Sequence, residues 1–324
     1  MAFDPVPWFI GGGAEHSPEV ARMIAYSAFR GNEGVMAAGD LAVKALDVPG
    51  TSVRVMPGAC AINSRAVGGA YQAYGGRAPS ESLVEIGSTG SGAGRSDLIV
   101  ARVEDPFMPG EPWSEPPDVT AGPYIFPRVI SGVPAGTTTV DALGLGYSAI
   151  ALARIDLPAS TGTVTQAMIT DLRRVANPRR ERRLIVSSPA SNHDIALSTF
   201  ADWPSAAVKP VTVPTWATQV RIVQTIAGCL AFWDKVNGET RVRLGTLYGQ
   251  PTLYDTNSVV GGDALDKTMV TADTLAVPSA MRGTTQDVAL QARTTYRGAT
   301  GTAILRATVA TTIVTDIEFV EVPE

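Results

Sequence analysis

The feature that most constrains this chain is the recurrence of short apolar runs closed by turn-forming residues. Between Gly39 and Pro158 these are DLAVKALDV, TSVRVMPGACAI, ESLVEI, SDLIVARV, PYIFPRVI and YSAIALARIDL. They are short, regularly spaced and punctuated by Gly and Pro, which predicts antiparallel sheet rather than strand–helix–strand units. The pattern resumes after residue 200 in KPVTVP, QVRIVQTIA, CLAFWDK, TRVRLGTLYG, KTMVTADTLAVP, DVALQARTTYR, TAILRATVA and IVTDIEFVEV. About eight strands in that space suit a two-sheet sandwich of jelly-roll type. Asn237-Gly238 reads as a hairpin turn. In DVALQARTTY the residues Val288, Leu290, Ala292, Thr294 and Tyr296 alternate with polar neighbours, which predicts one buried sheet face. The fold class is therefore mainly β: two antiparallel modules with two short helices, the C-terminal one a β-sandwich.

The first helix is expected at about 17–30, in EHSPEVARMIAYSAFRG, with Ser17 as N-cap, Pro18 in the first turn and Gly31 as the stop. Val20, Met23, Ile24 and Ser27 share its apolar face. The second is expected at about 164–176, in TGTVTQAMITDLRRVANP, where Thr163 and Gln166 fit a capping box, Thr165 competes as N-cap and Asn177-Pro178 ends the helix. Six arginines fall between Arg173 and Arg183. Arg173 and Arg174 would complement the negative end of that helix. Arg179, Arg180, Arg182 and Arg183 read as a solvated, arginine-rich linker over 179–200. The expected organisation is thus 1–178, the linker, and 201–324, with the first β region at 39–158.

Composition excludes several functions. A net charge of −5 offers no broad cationic face, so a nucleic-acid partner is not expected. The glycines at 11–13 lack the Lys-Ser/Thr of a phosphate-binding loop, and the GxGxG within TGSGAGRSD is followed by LIVARV rather than a helix, so it reads as a hairpin-type loop and no cofactor is expected. Cys60 and Cys229 have no second thiol near them in sequence and read as small buried apolar residues, without disulfide or metal site. MAFDPVPWFIGGG has no basic start and carries Asp4, and the apolar stretches stop at charges such as Arg154, so neither signal peptide nor membrane insertion is expected. His16 and His193 are the only histidines, which leaves almost no material for a catalytic triad. Asp263, Asp266, Glu318 and Glu321 could supply paired carboxylates for glycoside hydrolysis, but sequence does not place them opposite one another. No catalytic residue is assigned, and the chain is not expected to be an enzyme.

The helix at Pro18, followed in order by PGTSVRVMPGACAI, RSDLIVARVEDP, LGLGYSAIALARIDLPAST and TQAMITDLRR, resembles the N-terminal module of minor tail and baseplate proteins of long-tailed bacteriophages. The resemblance covers about residues 1–180. It implies a virion component at the tail tip, made in the host cytoplasm, with other tail proteins as partners, a homotrimeric state, and a C-terminal module that varies with the host. Asp97, Asp171 and Arg173 match recurrent positions and are expected to be fold-defining turn and helix residues. For a receptor-binding module the useful chemistry is an aromatic face stacked on a sugar ring beside polar groups. Trp203, Trp233, Tyr248 and Tyr254 are the candidate saccharide-binding residues, each with a core or intersubunit role as the alternative. Trp216, in VPTWATQV, reads as core. The proline-rich 104–128 segment, with Trp113 at its middle, is either a surface connection or a contact arm. Two other functions stay open: a tail-associated glycan depolymerase and a purely architectural tail-tip protein.

Overall fold

The computed structural model describes residues 17–113, 122–195, 198–256 and 264–324. The chain divides into two compact units, 1–178 with Pro323 and Glu324, and 179–322. Both are built from antiparallel sheets, as the run pattern predicts.

In the first unit one α-helix, Pro18–Ala28, begins where Ser17 Oγ accepts a hydrogen bond from the Val20 amide at 3.3 Å. Its packed side differs from the expected one. Met23 and Ile24 are exposed, whereas Arg22 lies over the Tyr74 ring and donates to Gln72 Oε1 at 2.6 Å, and Tyr26 meets Tyr71 edge to face. A basic side chain with a long apolar stem can cover an aromatic ring while its head finds an acceptor.

The centre of this unit is the strand Arg95–Val103, paired on one side with Ile125–Val133 and on the other with Ala149–Leu157. Both of its faces are buried: Ile99, Ala101 and Val103 join one apolar cluster, and Leu98 and Val100 join another. That double burial explains why LIVARV reads as an almost unbroken apolar run. Two three-stranded sheets complete the unit, one from Gly34–Val35, Gly58–Asn63 and Ala73–Ala78, the other from Val43–Ala45, Ser52–Val55 and Ser82–Glu85. The glycine-rich loop before Arg95 therefore crosses between sheets and is not a hairpin.

The second helix is not formed. Gln166–Met168 makes a single 3₁₀ turn and Ile169–Asp171 continues as a strand on the edge of Ala149–Leu157. Gln166 does not close a capping box, because its Oε1 accepts from the Ala45 amide at 3.0 Å. Arg173 is likewise not a helix-end residue. Its side chain is 1% exposed; it donates to both Asp171 oxygens and, from Nη1, to the carbonyls of Ala38 and Asp40 at 2.9 and 2.6 Å, and from Nη2 to Glu324 O at 2.7 Å. Next to it the Arg174 carbonyl accepts from Val35 N at 2.7 Å, so close to Gly34 (φ 144°) that a Cβ there would sit 2.0 Å from that oxygen. Asp97 is fully buried and gathers the Arg95 guanidinium and the Gly132 amide. Fold-defining roles for Asp97, Asp171 and Arg173 fit this geometry, although the element is a strand and a buried arginine paired with a partly exposed aspartate instead of a helix end.

The second unit is an open two-sheet β-sandwich. One sheet runs Arg180–Ser187, Thr312–Val320, Gln219–Phe232, Ile304–Ala307, His193–Ile195, with Ala264–Ala276 along the other side of Gln219–Phe232. The facing sheet runs Ala201–Asp202, Thr285–Arg297, Val236–Leu244, Leu247–Tyr248, with Lys209–Thr212 and Thr252–Asp255 added at its edges. Two apolar clusters fill the space between the sheets, one around Ile226, Leu290 and Leu305, the other around Ile222, Leu244 and Phe319. Val288, Leu290, Ala292 and Thr294 all face inward as their alternation predicts, while Tyr296, beyond a bulge, is exposed.

Three further expectations change here. The runs QVRIVQTIA and CLAFWDK form one continuous strand with a register shift between Ile226 and Cys229, where Gly228 takes φ 77°. Asn237-Gly238 is not a turn: it lies inside Val236–Leu244 at a bulge, and Gly238 is needed because a Cβ would sit 2.1 Å from the Arg293 carbonyl and 2.5 Å from the Tyr254 hydroxyl. The reversal instead falls at Trp233 and Asp234.

The third change concerns the arginines, which are no linker: Arg180–Ser187 is an edge strand of the sandwich, paired along its length with Thr312–Val320. Arg179 donates to the Glu321 carboxylate at 2.9 and 2.7 Å, Arg180 lies 3.7 Å from Glu318, Arg182 donates to Asp316 at 2.8 Å and Arg183 to Glu181 at 2.8 Å. The basic run is matched by Asp316 and Glu318 of the last strand, Glu321 just after it and Glu181 of its own strand.

Candidate functional site

The four candidate aromatics separate into two pairs. Trp203 is 6% exposed, packs in the sandwich core and donates its indole N–H to His193 O at 3.0 Å. Tyr254 faces inward too; its hydroxyl is near Arg293 O at 3.3 Å and Thr294 Oγ1 at 3.4 Å, and burial pushes the phenol above its ordinary range. These two are structural. Trp233 is 55% exposed and Tyr248 49%. Trp233 sits at the reversal after Gln219–Phe232 with φ 72°, a left-handed conformation that costs a bulky residue about 1–2 kcal/mol. Its ring leans on Phe232, 5.9 Å between centroids. Trp216, half-buried, packs against the other core cluster with the Arg179 guanidinium 5.4 Å over its ring.

Tyr248 belongs to an organised group on the outer face of the Thr285–Arg297/Val236–Leu244 sheet. In Val236–Leu244 the residues Glu239, Arg241 and Arg243 alternate with buried Thr240, Val242 and Leu244, so the period of a strand sets three charged side chains in a row. Register places Arg241 opposite Gln291 and Glu239 opposite Arg293, while Asp202 comes in beside Gln291 from the edge. The contacts follow. Arg243 donates to both Asp202 oxygens at 3.0 and 2.7 Å, and Arg293 donates Nε to Glu239 at 2.6 Å. Arg241 donates from Nε and Nη2 to Gln291 Oε1 at 2.9 and 2.8 Å, and Gln291 Nε2 donates onward to Asp202 at 3.0 Å. The Arg241 guanidinium carbon lies 4.2 Å from the centroids of both Phe200 and Tyr248, and that of Arg293 is 4.8 Å from Phe200. Cation–π stacking of this kind fixes the plane of a guanidinium.

Arg241, Gln291 and Phe200 are not among the residues the sequence singles out. The alternation in ETRVRL does put Arg241 and Arg243 on one strand face, so part of the signal is present. Phe200 lies far from Arg241 in sequence and only sheet pairing brings it there.

Two of the four acids that the sequence offers for hydrolysis are held in ion pairs, and Asp266 is exposed on the strand Ala264–Ala276. Glu318 lies between Arg180 and Arg221, and Glu321 is held by Arg179. Asp263 lies outside the described residues. Ser205 Oγ approaches His193 Nε2 at 3.4 Å, and the neighbouring Asp194 carboxylate is taken by Arg306. Cys60 and Cys229 are buried free thiols, both pushed up to about 12 by burial. Among the described residues no group of three or more His, Cys, Asp or Glu could hold a metal ion, and no helix is long and apolar enough to cross a membrane. Of the proline-rich segment, the described parts show Trp113 stacked on Tyr124, 6.2 Å between centroids, with Phe107 exposed.

No family model and no curated protein matches this chain. Among solved structures, the VP2 subviral particle of infectious bursal disease virus aligns over 90% of this chain and 80% of that one, at 11% identity and a TM-score of 0.23. The T=1 particles derived from the same virus align over 90% and 77%, at 12% identity and a TM-score of 0.22. Superposition at that level carries no conclusion about fold or function.

Proposed function

We propose that this chain is a non-enzymatic structural and adhesion component of a phage tail tip or baseplate. Its N-terminal unit attaches to the tail and its C-terminal sandwich joins copies of the chain and contacts a host-surface saccharide. The ordered N-terminal segments support the attachment role. The observation that carries adhesion is the Phe200–Arg241–Tyr248 stack, an aromatic and hydrogen-bonding surface held on a rigid sheet, where sugar rings and hydroxyls are both served. Shallow sites of this type bind weakly one at a time, and several linked copies raise avidity by orders of magnitude.

Self-association finds support on the outer face of the other sheet. Register sets Val186, Val314, Thr225 and Val270 in one row across four strands, with Leu184, Asp316, Val223 and Ala272 two residues along. Leu184, Val186 and Val270 are 64%, 61% and 57% exposed. A largely apolar face, whose one acid in these rows, Asp316, is paired with Arg182, suits burial against other copies of the chain around a three-fold axis. The full chain is expected to be trimeric in light scattering, and Leu184→Glu with Val270→Glu to yield folded monomers that melt cooperatively but below the trimer. A monomeric wild-type chain at micromolar concentration would remove self-association from the reading.

The location is tested on particles. Antibody against the chain should decorate the tail tip in electron micrographs, and a multivalent preparation should retain host cells without releasing reducing sugar ends. Labelling of the head, or none, rejects the tail reading. Release of reducing ends replaces adhesion by depolymerisation, and labelling without retention leaves an architectural tail-tip protein.

A further inference from the structure

We infer that the Phe200–Arg241–Tyr248 stack is a binding site for a carboxylate-bearing saccharide of the uronic-acid type, with Arg241 as the group that receives the carboxylate. The inference rests on the adhesion reading above and specifies its ligand.

The charge distribution on this face is uneven. Arg243 and Arg293 each have a carboxylate, Asp202 and Glu239 respectively. Arg241 has none among the described residues, because the position across the ladder is Gln291, which offers one amide oxygen. Three guanidinium groups thus share two carboxylates in this cluster, leaving one positive charge in excess. Asp287, on the same strand face, is four residues from Gln291, about 13 Å along a strand, too far to pair with Arg241.

The geometry of Arg241 is specific as well. A guanidinium has five N–H donors in one plane. Nε and one hydrogen of Nη2 are committed to Gln291, and Nη1 has no hydrogen bond to any described residue. The remaining Nη1/Nη2 edge presents two parallel donors, the arrangement that a carboxylate accepts in a bidentate pair. Two rings at 4.2 Å prevent the plane from turning, so this edge is preorganised and little side-chain entropy is lost on binding. Tyr248, half exposed at the border of the stack, supplies an aromatic surface for the sugar ring that carries the carboxylate. A neutral sugar would leave the Arg241 edge facing only hydroxyls. A small free anion would use that edge but not the tyrosine.

Oligogalacturonate and its methyl ester make a matched pair of probes, with the same rings and the charge removed in the ester. Titrated against the full chain by calorimetry or NMR, the acid should bind at least tenfold more tightly than the ester, and sodium sulfate at equal charge should compete only weakly. Arg241→Gln should lower acid binding at least tenfold. Tyr248→Ala should lower it less, by severalfold. Arg221→Gln, an exposed arginine of the opposite sheet, should leave it unchanged. Arg241→Lys keeps the charge and the stem but lacks the planar two-donor edge, and should lose most of the affinity; it carries the test if the Gln variant melts early. Equal binding of acid and ester rejects the Arg241 role while leaving saccharide adhesion standing. An equal loss in Arg221→Gln reduces the effect to general charge and rejects the site. If neither probe binds, the inference fails, and cell retention by the multivalent chain decides the adhesion reading separately.

Discussion

Arg173→Ala is expected to destabilise the N-terminal unit by about 3 kcal/mol, at the lower end of the range for breaking a buried ion pair. The side chain is 1% exposed and ties together parts of the unit that are distant in sequence: Asp171, the carbonyls of Ala38 and Asp40, and Glu324 O. Truncation leaves carbonyl oxygens without their charged donor in a space that water must enter or the backbone must close, and a buried acceptor left unpaired costs about 1–3 kcal/mol. Asp171 is 41% exposed, so its own charge is partly solvated when the partner is gone, which keeps the loss from the upper end. Urea denaturation gives the size of the effect. Hydrogen exchange locates it, with lost protection expected around Gly34–Val35 and Ala149–Leu157 and none in the sandwich. An Arg173→Ala protein with the wild-type midpoint and exchange pattern would show that the cluster is not a keystone of this unit.

The second large effect is expected from Arg179, Arg180, Arg182 and Arg183 replaced together by Gln. A solvated linker would tolerate this change; an edge strand whose start is tied by three ion pairs to Asp316, Glu318 and Glu321, with Arg183 paired to Glu181 on its own strand, should not. Arg179→Ala alone removes a two-point contact to Glu321, a carboxylate that is 3% exposed, together with the stacking of the guanidinium on Trp216. Hydrogen bonds to charged groups are worth about 1.5–3 kcal/mol, and because the Arg179 side chain is 55% exposed the expected loss is discounted to about 1–2 kcal/mol. The fourfold variant should melt below the Arg179 variant and lose exchange protection in Arg180–Ser187 first. Acid gives an independent check. Hydrogen bonding from Arg182 holds the Asp316 carboxyl below its ordinary range, so this pair stabilises the fold above the usual carboxylate pKa, and the contribution disappears as pH falls through the lowered value. The wild-type chain should therefore lose more stability on acidification than the fourfold variant does. Unchanged melting in the fourfold variant would return these arginines to a solvated role.

Much of this fold is legible in the sequence, because the signal for a strand is local. Alternation in DVALQARTTY placed Val288, Leu290, Ala292 and Thr294 on the buried face, and SDLIVARV read as a strand, although that it is covered on both sides is seen only in the structure. Ser17 and Pro18 began the one α-helix described where local capping chemistry puts it. The two exposed candidate aromatics, Trp233 and Tyr248, were visible as rings beside turns, yet nothing local separated them from Trp203, which the core absorbs, and Tyr254, which packs partly buried against it.

What the sequence could not determine is which distant residue answers each local signal. Residues 164–176 have capping residues and a helical spacing, but Ile169–Asp171 finds a ladder partner in Ala149–Leu157, and the hydrogen bonds and burial gained there outweigh a weak helical propensity. Asn237-Gly238 has the composition of a hairpin turn, but the close approach of Arg293 and Tyr254 uses the missing Cβ of Gly238 inside a strand. The arginines after Pro178 look like a linker until Thr312–Val320 lies beside them with Asp316, Glu318 and Glu321. Phe200 and Arg241 meet because sheet pairing joins Ala201–Asp202 to Thr285–Arg297 and that strand to Val236–Leu244. Side-chain period along a strand is a property of the local chain and can be read from it, whereas strand order and register follow from the free energy of the whole packed unit, which only the tertiary structure expresses.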